Sequence, residues 1–288
     1  MLLYHLKSDN MKNTLYILML VAVLLSSCTK TTQDLETSMD IPVVESFLSP
    51  NHELVVRLSS AIPYSSDTTL EVTEYISGMQ VYITSDSVTH LLSEITDSAG
   101  YYKDLTNELV VEENKKYQLD FIYKNDEISS SAIIPLKPEN FETSETTIEL
   151  TRITEESGMG GGPPNMTSIE LSWDDENNDY YLIYIQYMED EYDTVNTVIE
   201  IEEASELANF SSEPIQNNMY TIRGTQFMFF GEYQIILCRI TEEYAQLYEA
   251  LSQSSLEGLA EPPTNIINGK GIFAAYNSDT LTVNVVED

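Results

Sequence analysis

From residue 41 onward, apolar and polar residues alternate in short runs, the period-two pattern of strands with one buried face. Residues 41–48 and 53–60 are two such runs joined by the turn formers Ser49-Pro50-Asn51-His52, and they predict a hairpin. Residues 81–83, after Gly78, and 88–95, after Asp86-Ser87, continue the series. Over 117–124, Tyr117, Leu119, Phe121 and Tyr123 share one face and Gln118, Asp120 and Lys124 the other; Asn125-Asp126 then turns the chain into a run over 127–134. Strands this short and this closely spaced predict a sandwich over 41–137.

Pro135 and Pro138 mark a boundary, after which the pattern restarts. Strands are expected over 148–153 and 168–173, around a glycine- and proline-rich loop at 157–165, and then over 195–202 and 226–239. The run 179–188 is apolar on both faces and predicts a central strand. Thr241 stands where a helix cap belongs, with Glu242 and Glu243 in the first turn and Tyr244, Leu247, Tyr248 and Leu251 at helical spacing. Two last strands, 271–276 and 280–286, flank Asn277-Ser278-Asp279 and predict a closing hairpin. The expected fold is mainly β: an immunoglobulin- or transthyretin-like part over 41–137 and a fibronectin-like part over 138–288, with one short helix near the C-terminus.

The first forty residues follow another logic. From Met11 a lysine-bearing start leads into an apolar stretch over 15–25 and then Leu25-Ser26-Ser27-Cys28. The stretch falls short of the roughly 20 residues a membrane-spanning helix needs, so residues 1–27 are expected to be a signal peptide, with translation starting at Met11 as one option. Leu25, Ser26, Ser27 and Cys28 look like a bacterial lipobox, in which small residues fit the peptidase cleft and the Cys28 thiol carries the lipid. Residues 28–40, polar and without periodicity, are then a lipidated tether.

Charge narrows the partners. With 13 Lys and Arg against 48 Asp and Glu, the net charge is −35, and removal of residues 1–27 takes Lys7, Lys12 and Asp9 with it to leave −36. Such a chain has no cationic footprint for nucleic acid or for anionic lipid headgroups, so membrane attachment is expected through the lipid alone. Cys238, inside an apolar run, is the one cysteine left once Cys28 is acylated, and it reads as a small buried hydrophobe. His52 and His90 occur without zinc-protease or serine-hydrolase spacing. The residues Asp174, Glu176 and Asn178 offer alternate oxygens of the kind Ca²⁺ accepts, but they lack the glycine and distant Glu of a calcium loop. No cofactor is expected, with Ca²⁺ as the alternative. Tyr64 and Tyr75 fall in predicted connections and are candidates for an aromatic binding platform.

The order of several motifs adds a resemblance. Ile41-Pro42-Val43-Val44-Glu45-Ser46-Phe47-Leu48, then Val56-Arg57-Leu58-Ser59, Ile62-Pro63-Tyr64 and Gly78-Met79-Gln80-Val81, are followed by Lys116-Tyr117-Gln118-Leu119. Glu243-Tyr244, Pro262-Pro263-Thr264-Asn265-Ile266 and Asn268-Gly269-Lys270-Gly271-Ile272-Phe273 come near the end. Together they resemble the Bacteroidetes lipoproteins grouped as domain of unknown function 4249, with Ser46 where that family usually has glycine. The resemblance implies secretion, lipid anchoring and a gene neighbourhood with TonB-dependent receptors, and it brings no catalytic residues. The expected function is therefore a binding or accessory lipoprotein of the outer membrane, working with such a receptor in nutrient uptake. Whether it faces the periplasm or the surface is left open. A structural or adhesive envelope protein and a carboxylate-dependent surface hydrolase are the alternatives.

Overall fold

The computed structural model describes residues 41–61, 73–158, 166–198, 204–252 and 262–288. Cys28 and its lipobox, the tether, Tyr64 and most of the 157–165 loop lie outside them. In chain order the strands are β1 (Pro42–Leu48), β2 (Val55–Ser60), β3 (Val81–Ser85), β4 (Val88–Glu94), β5 (Tyr101–Lys103), β6 (Lys116–Tyr123), β7 (Asp126–Ile133) and β8 (Glu139–Thr143). They continue as β9 (Thr147–Leu150), β10 (Ser168–Asp174), β11 (Tyr180–Tyr187), β12 (Asp193–Thr194), β13 (Phe210–Ser211), β14 (Met219–Arg223), β15 (Phe229–Ile240) and β16 (Lys270–Glu287). One-turn helices α1 (Glu155–Gly158) and α2 (Ala204–Leu207), which the periodicity does not signal, precede the helix α3 (Glu242–Ser252).

Two hydrophobic cores organise these elements. The first gathers residues from Val44 to Ile134 with Ile266, Phe273 and Ala275. Its ladder runs β16-β1-β2-β5-β4-β3-β6-β7, and a bridge between Ser129 and Ile267 brings it back to the segment entering β16. That bridge covers the outer edge of β7, the last strand of the ladder, at one point. The second core spans Phe141 to Leu237 with Val283 and Val285. There β14-β10-β8 form one sheet and β13-β11-β15-β16-β9 the other, with the short β12 also paired to β15, two facing sheets as in a fibronectin-like sandwich.

The expected closing hairpin does not form. Instead β16 is one continuous strand that pairs in parallel with β1 over Lys270–Ala275 and antiparallel with β15 over Tyr276–Val285. The turn formers Asn277, Ser278 and Asp279 stay extended because each is paired, with Arg239, Cys238 and Leu237 respectively. Asn277 Nδ2 also donates to Glu113 Oε2 at 3.1 Å and to the Pro135 carbonyl at 3.0 Å. Lys137 pairs with Asp279 at 2.9 Å. Tertiary partners outweigh local turn preference at these three positions.

Other differences have equally local causes. Residues 195–198 form no strand, and Asn196 makes only a single bridge with Ile153; residues 199–203 lie outside the description. In β11 the Tyr181, Ile183, Ile185 and Tyr187 face is buried, while Tyr180, Leu182 and Tyr184 are partly open, since only one sheet face meets the second core. The helix α3 buries Ala245, and Leu251 at the end of its apolar stripe is 71% exposed. Strands β5 and β8 were not expected; three to five residues are too few to display a period.

Buried tyrosine hydroxyls anchor backbone in both cores. Tyr117 Oη donates to the Val110 carbonyl at 2.9 Å and accepts from Glu112 N–H, and Tyr233 Oη donates to the Phe229 carbonyl at 3.0 Å. Burial raises the Tyr233 hydroxyl well above the usual phenol range. Asn265 fixes the entry to β16 by accepting from Phe273 N–H at 2.9 Å and donating to the Phe273 carbonyl at 2.7 Å. The loop after β5 is tied down by Asp104. Burial pushes that carboxyl up, but the Thr106 hydroxyl and the amides of Leu109, Thr106 and Glu108 outweigh it and hold it down at about 2.

Two expectations follow. At Gly271, with φ at +94°, an added Cβ would stand 2.0 Å from the Val44 carbonyl oxygen, whereas at Gly78, with φ at +74°, it would meet nothing within 4 Å. Gly271→Ala should therefore lose about 3 kcal/mol or more, and Gly78→Ala about 1–2 kcal/mol from backbone strain alone, as read by urea denaturation. Because the folded carboxyl of Asp104 lies below its unfolded value of about 3.9, its contribution is complete above that pH and fades as pH falls toward about 2. Asp104→Asn should be less stable than the parent above about pH 4, with the gap closing between about pH 4 and 2.

Candidate functional site

The sequence-derived candidates fall in separate places. Asp174 ends β10, where its Oδ2 accepts from Asn140 Nδ2 at 2.6 Å. Glu176 is exposed in the following turn, and the Asn178 carbonyl accepts from Gln216 Nε2 at 2.9 Å. Among the described residues no three or more His, Cys, Asp or Glu side chains come together as a metal site. Tyr75, 43% exposed, bridges to Ser59 beside β2; its ring lies 5.9 Å from that of Tyr101 and 5.6 Å from the Arg57 guanidinium. Arg57 in turn pairs with Glu45 at 2.6 Å. This is a small cation–aromatic patch on the outer face of β2 and β5, of the kind that adds modest binding energy when exposed.

A second feature sits where the two cores meet. Asn114 and the β7 end from Ile133 to Leu136 form one wall of a cleft of about 550 Å³, and Asn177–Tyr180, Gln216 and Arg239–Glu242 form the other. The topology builds it: β7 leaves the first core as β15 ends against the second, and Thr241 begins α3 at the rim, its carbonyl accepting from Tyr244 and Ala245 N–H. Gln216 is held by the exchange of Ile215 and Tyr181 backbone hydrogen bonds beside it.

Arg239 dominates the electrostatics of this cleft. At 9% exposure it is the one charged residue among the buried described ones. Its Nε donates to Tyr181 Oη at 3.1 Å and lies 3.6 Å from Asp179 Oδ2, while its guanidinium carbon is 5.5 Å from the Tyr181 ring. Burial raises the Tyr181 hydroxyl to about 12, against the opposing pull of the Arg239 charge, so the phenol stays protonated at neutral pH. Ion pairs elsewhere in the fold, such as Arg57–Glu45, Lys103–Glu53 and Lys137–Asp279, close to 2.9 Å or less. Arg152 shows the contrast. Asp193 takes both of its Nη groups, at 2.7 and 3.0 Å, and Glu287 takes Nε and Nη2, at 3.0 and 2.7 Å. That pairing lowers the Asp193 carboxyl and leaves Arg152 fully engaged in the acidic cluster after β11.

Neither Arg239 nor its amide neighbours stand out in the sequence. The available signal is one cation inside the apolar run Ile235-Ile236-Leu237-Cys238-Arg239-Ile240 of a cation-poor chain. Cys238, next to it, faces away from reactive chemistry, since burial pushes its thiol up to about 11.

Comparison with known proteins adds the family. No curated protein matches the chain. Among solved structures, the crystal structure of chicken CNTN1 FN1-FN3 domains aligns at 12% identity over 71% of this chain and 62% of that one, with a TM-score of 0.27. The pattern of one family runs from ahead of β1 through both cores and most of β16: over residues 29–282 the chain matches, and belongs to, the family described as Domain of unknown function (DUF4249).

Proposed function

We propose that the protein is a binding or accessory component of the cell envelope, held at the outer membrane by lipid on Cys28 and working beside a TonB-dependent receptor in nutrient uptake. The inter-core cleft carries the binding half of this reading. Its volume of about 550 Å³ lies within the range of small-molecule sites, and its polar lining is rich in the amides of Asn114, Asn177, Asn178 and Gln216. Amide side chains hold ligands by hydrogen bonds without exchanging protons near neutral pH, which favours recognition over catalysis. The sequence Leu25-Ser26-Ser27-Cys28, behind a short apolar stretch and ahead of a polar tether, supports the anchoring half. The strong negative charge suits a protein attached through acyl chains and not through basic patches.

Cys28→Ala should abolish fatty-acid labelling and release the protein from the membrane fraction; labelling that persists would refute the anchor. Affinity capture of the intact chain from detergent-solubilised outer membranes, read by mass spectrometry, should bring down a TonB-dependent receptor. Capture without one would remove the receptor from the proposal and leave the anchor untouched.

A further inference from the structure

The charge arrangement of the inter-core cleft specifies a ligand class, and this step rests on the binding reading above. Arg239 lines the cleft and spends only its Nε on the protein; among the described residues no hydrogen-bond acceptor pairs with Nη1 or Nη2. A guanidinium in this state presents two parallel donors, the fork that matches a carboxylate. Nη1 and Nη2 are not among the enclosed side-chain atoms that lack a partner, so they stay open to solvent and to a ligand. Arg239 is the one cation among the lining residues, while Asp179 and Glu242 line the same walls and leave them net negative, so repulsion grows with each negative charge on the ligand. One charge, placed on the Arg239 fork, is therefore favoured over the two of a phosphate dianion.

The rest of the lining describes the remainder of the ligand. Each Asn or Gln side chain offers both donors and an acceptor, which matches hydroxyl groups that also donate and accept. Gln216 gives one N–H to the Asn178 carbonyl and keeps its Oε1 for a ligand. The apolar side chains of Ile133, Pro135 and Leu136 give a carbon skeleton a surface to lie on. We infer that the cleft binds a small hydroxylated monocarboxylate, with its carboxylate on Arg239 and its hydroxyls on the amides of Asn114 and Gln216.

Calorimetric titration of the full-length, detergent-solubilised protein with D-glucuronate, D-glucose and inorganic phosphate tests this. D-glucuronate should bind at least about 10-fold more tightly than D-glucose, the discrimination a charge-assisted pair supplies. Arg239→Lys should weaken D-glucuronate by about 10-fold or more by removing the fork, and Gln216→Leu and Asn114→Leu should each weaken it by about 2- to 10-fold. The two amide variants sit on the cleft walls and carry the test if the arginine variant does not fold. Any of four results overturns the inference: no D-glucuronate binding at millimolar concentration, equal binding of D-glucose, tighter binding of phosphate, or affinity unchanged by the amide variants. None of these outcomes bears on Cys28 labelling or receptor capture, so the ligand class and the envelope role fail separately.

Discussion

The fold depends on one strand serving two cores. The first part of β16 lies parallel to β1 and places Phe273 and Ala275 in the first core; the later part lies against β15 and places Val283 and Val285 in the second. A parallel partner cannot be reached by a short turn, and here the first and last strands of the described chain supply the pair. Its closeness rests on Gly271, whose missing side chain lets the Val44 carbonyl approach where a Cβ would collide. The inter-core cleft follows from the same arrangement, because β15 ends and α3 begins beside the stretch where β16 passes from one core to the other.

Scarce cations act as fasteners at the edges of these cores. Lys137 holds Asp279 at the crossing point, Lys103 holds Glu53 beside the first core, and Arg152 ties β12 to the end of β16 through Asp193 and Glu287. Surface pairs of this type add little stability individually, and the hydrophobic cores carry most of it. In a chain of net charge −35, pairing them with nearby carboxylates also relieves local repulsion. Arg239 stands apart because it is buried, sits over the Tyr181 ring, and has its carboxylate neighbour at 3.6 Å.

Alternation made much of the β architecture legible. The hairpin of β1 and β2, the inward Tyr117, Leu119 and Phe121 of β6, and the helix after Thr241 all express a local period, and all are present. What the sequence hides is non-local. Asn277-Ser278-Asp279 has the composition of a turn, yet its partners lie at Glu113, Pro135 and Lys137, far back in the chain. The cleft is hidden for the same reason, since Asn114, Gln216 and Arg239 meet only after both cores have formed. Tyr75 was legible as an exposed aromatic in a connection, but its company of Tyr101 and Arg57 was not, because that patch is assembled across β2 and β5.

The parallel pairing of β1 with β16 also has a mechanical side. A pull entering the folded part at residue 41 runs along the axis of β1, whose neighbours are β16 on one side and β2 on the other. When that pull is opposed at the C-terminal end of β16, the β1–β16 hydrogen bonds lie across the direction of force and share the load, so they must yield together and not open one after another like a zipper. The strand pair that closes the first core is thus also a shear joint, placed where tension on the N-terminal segment would arrive first.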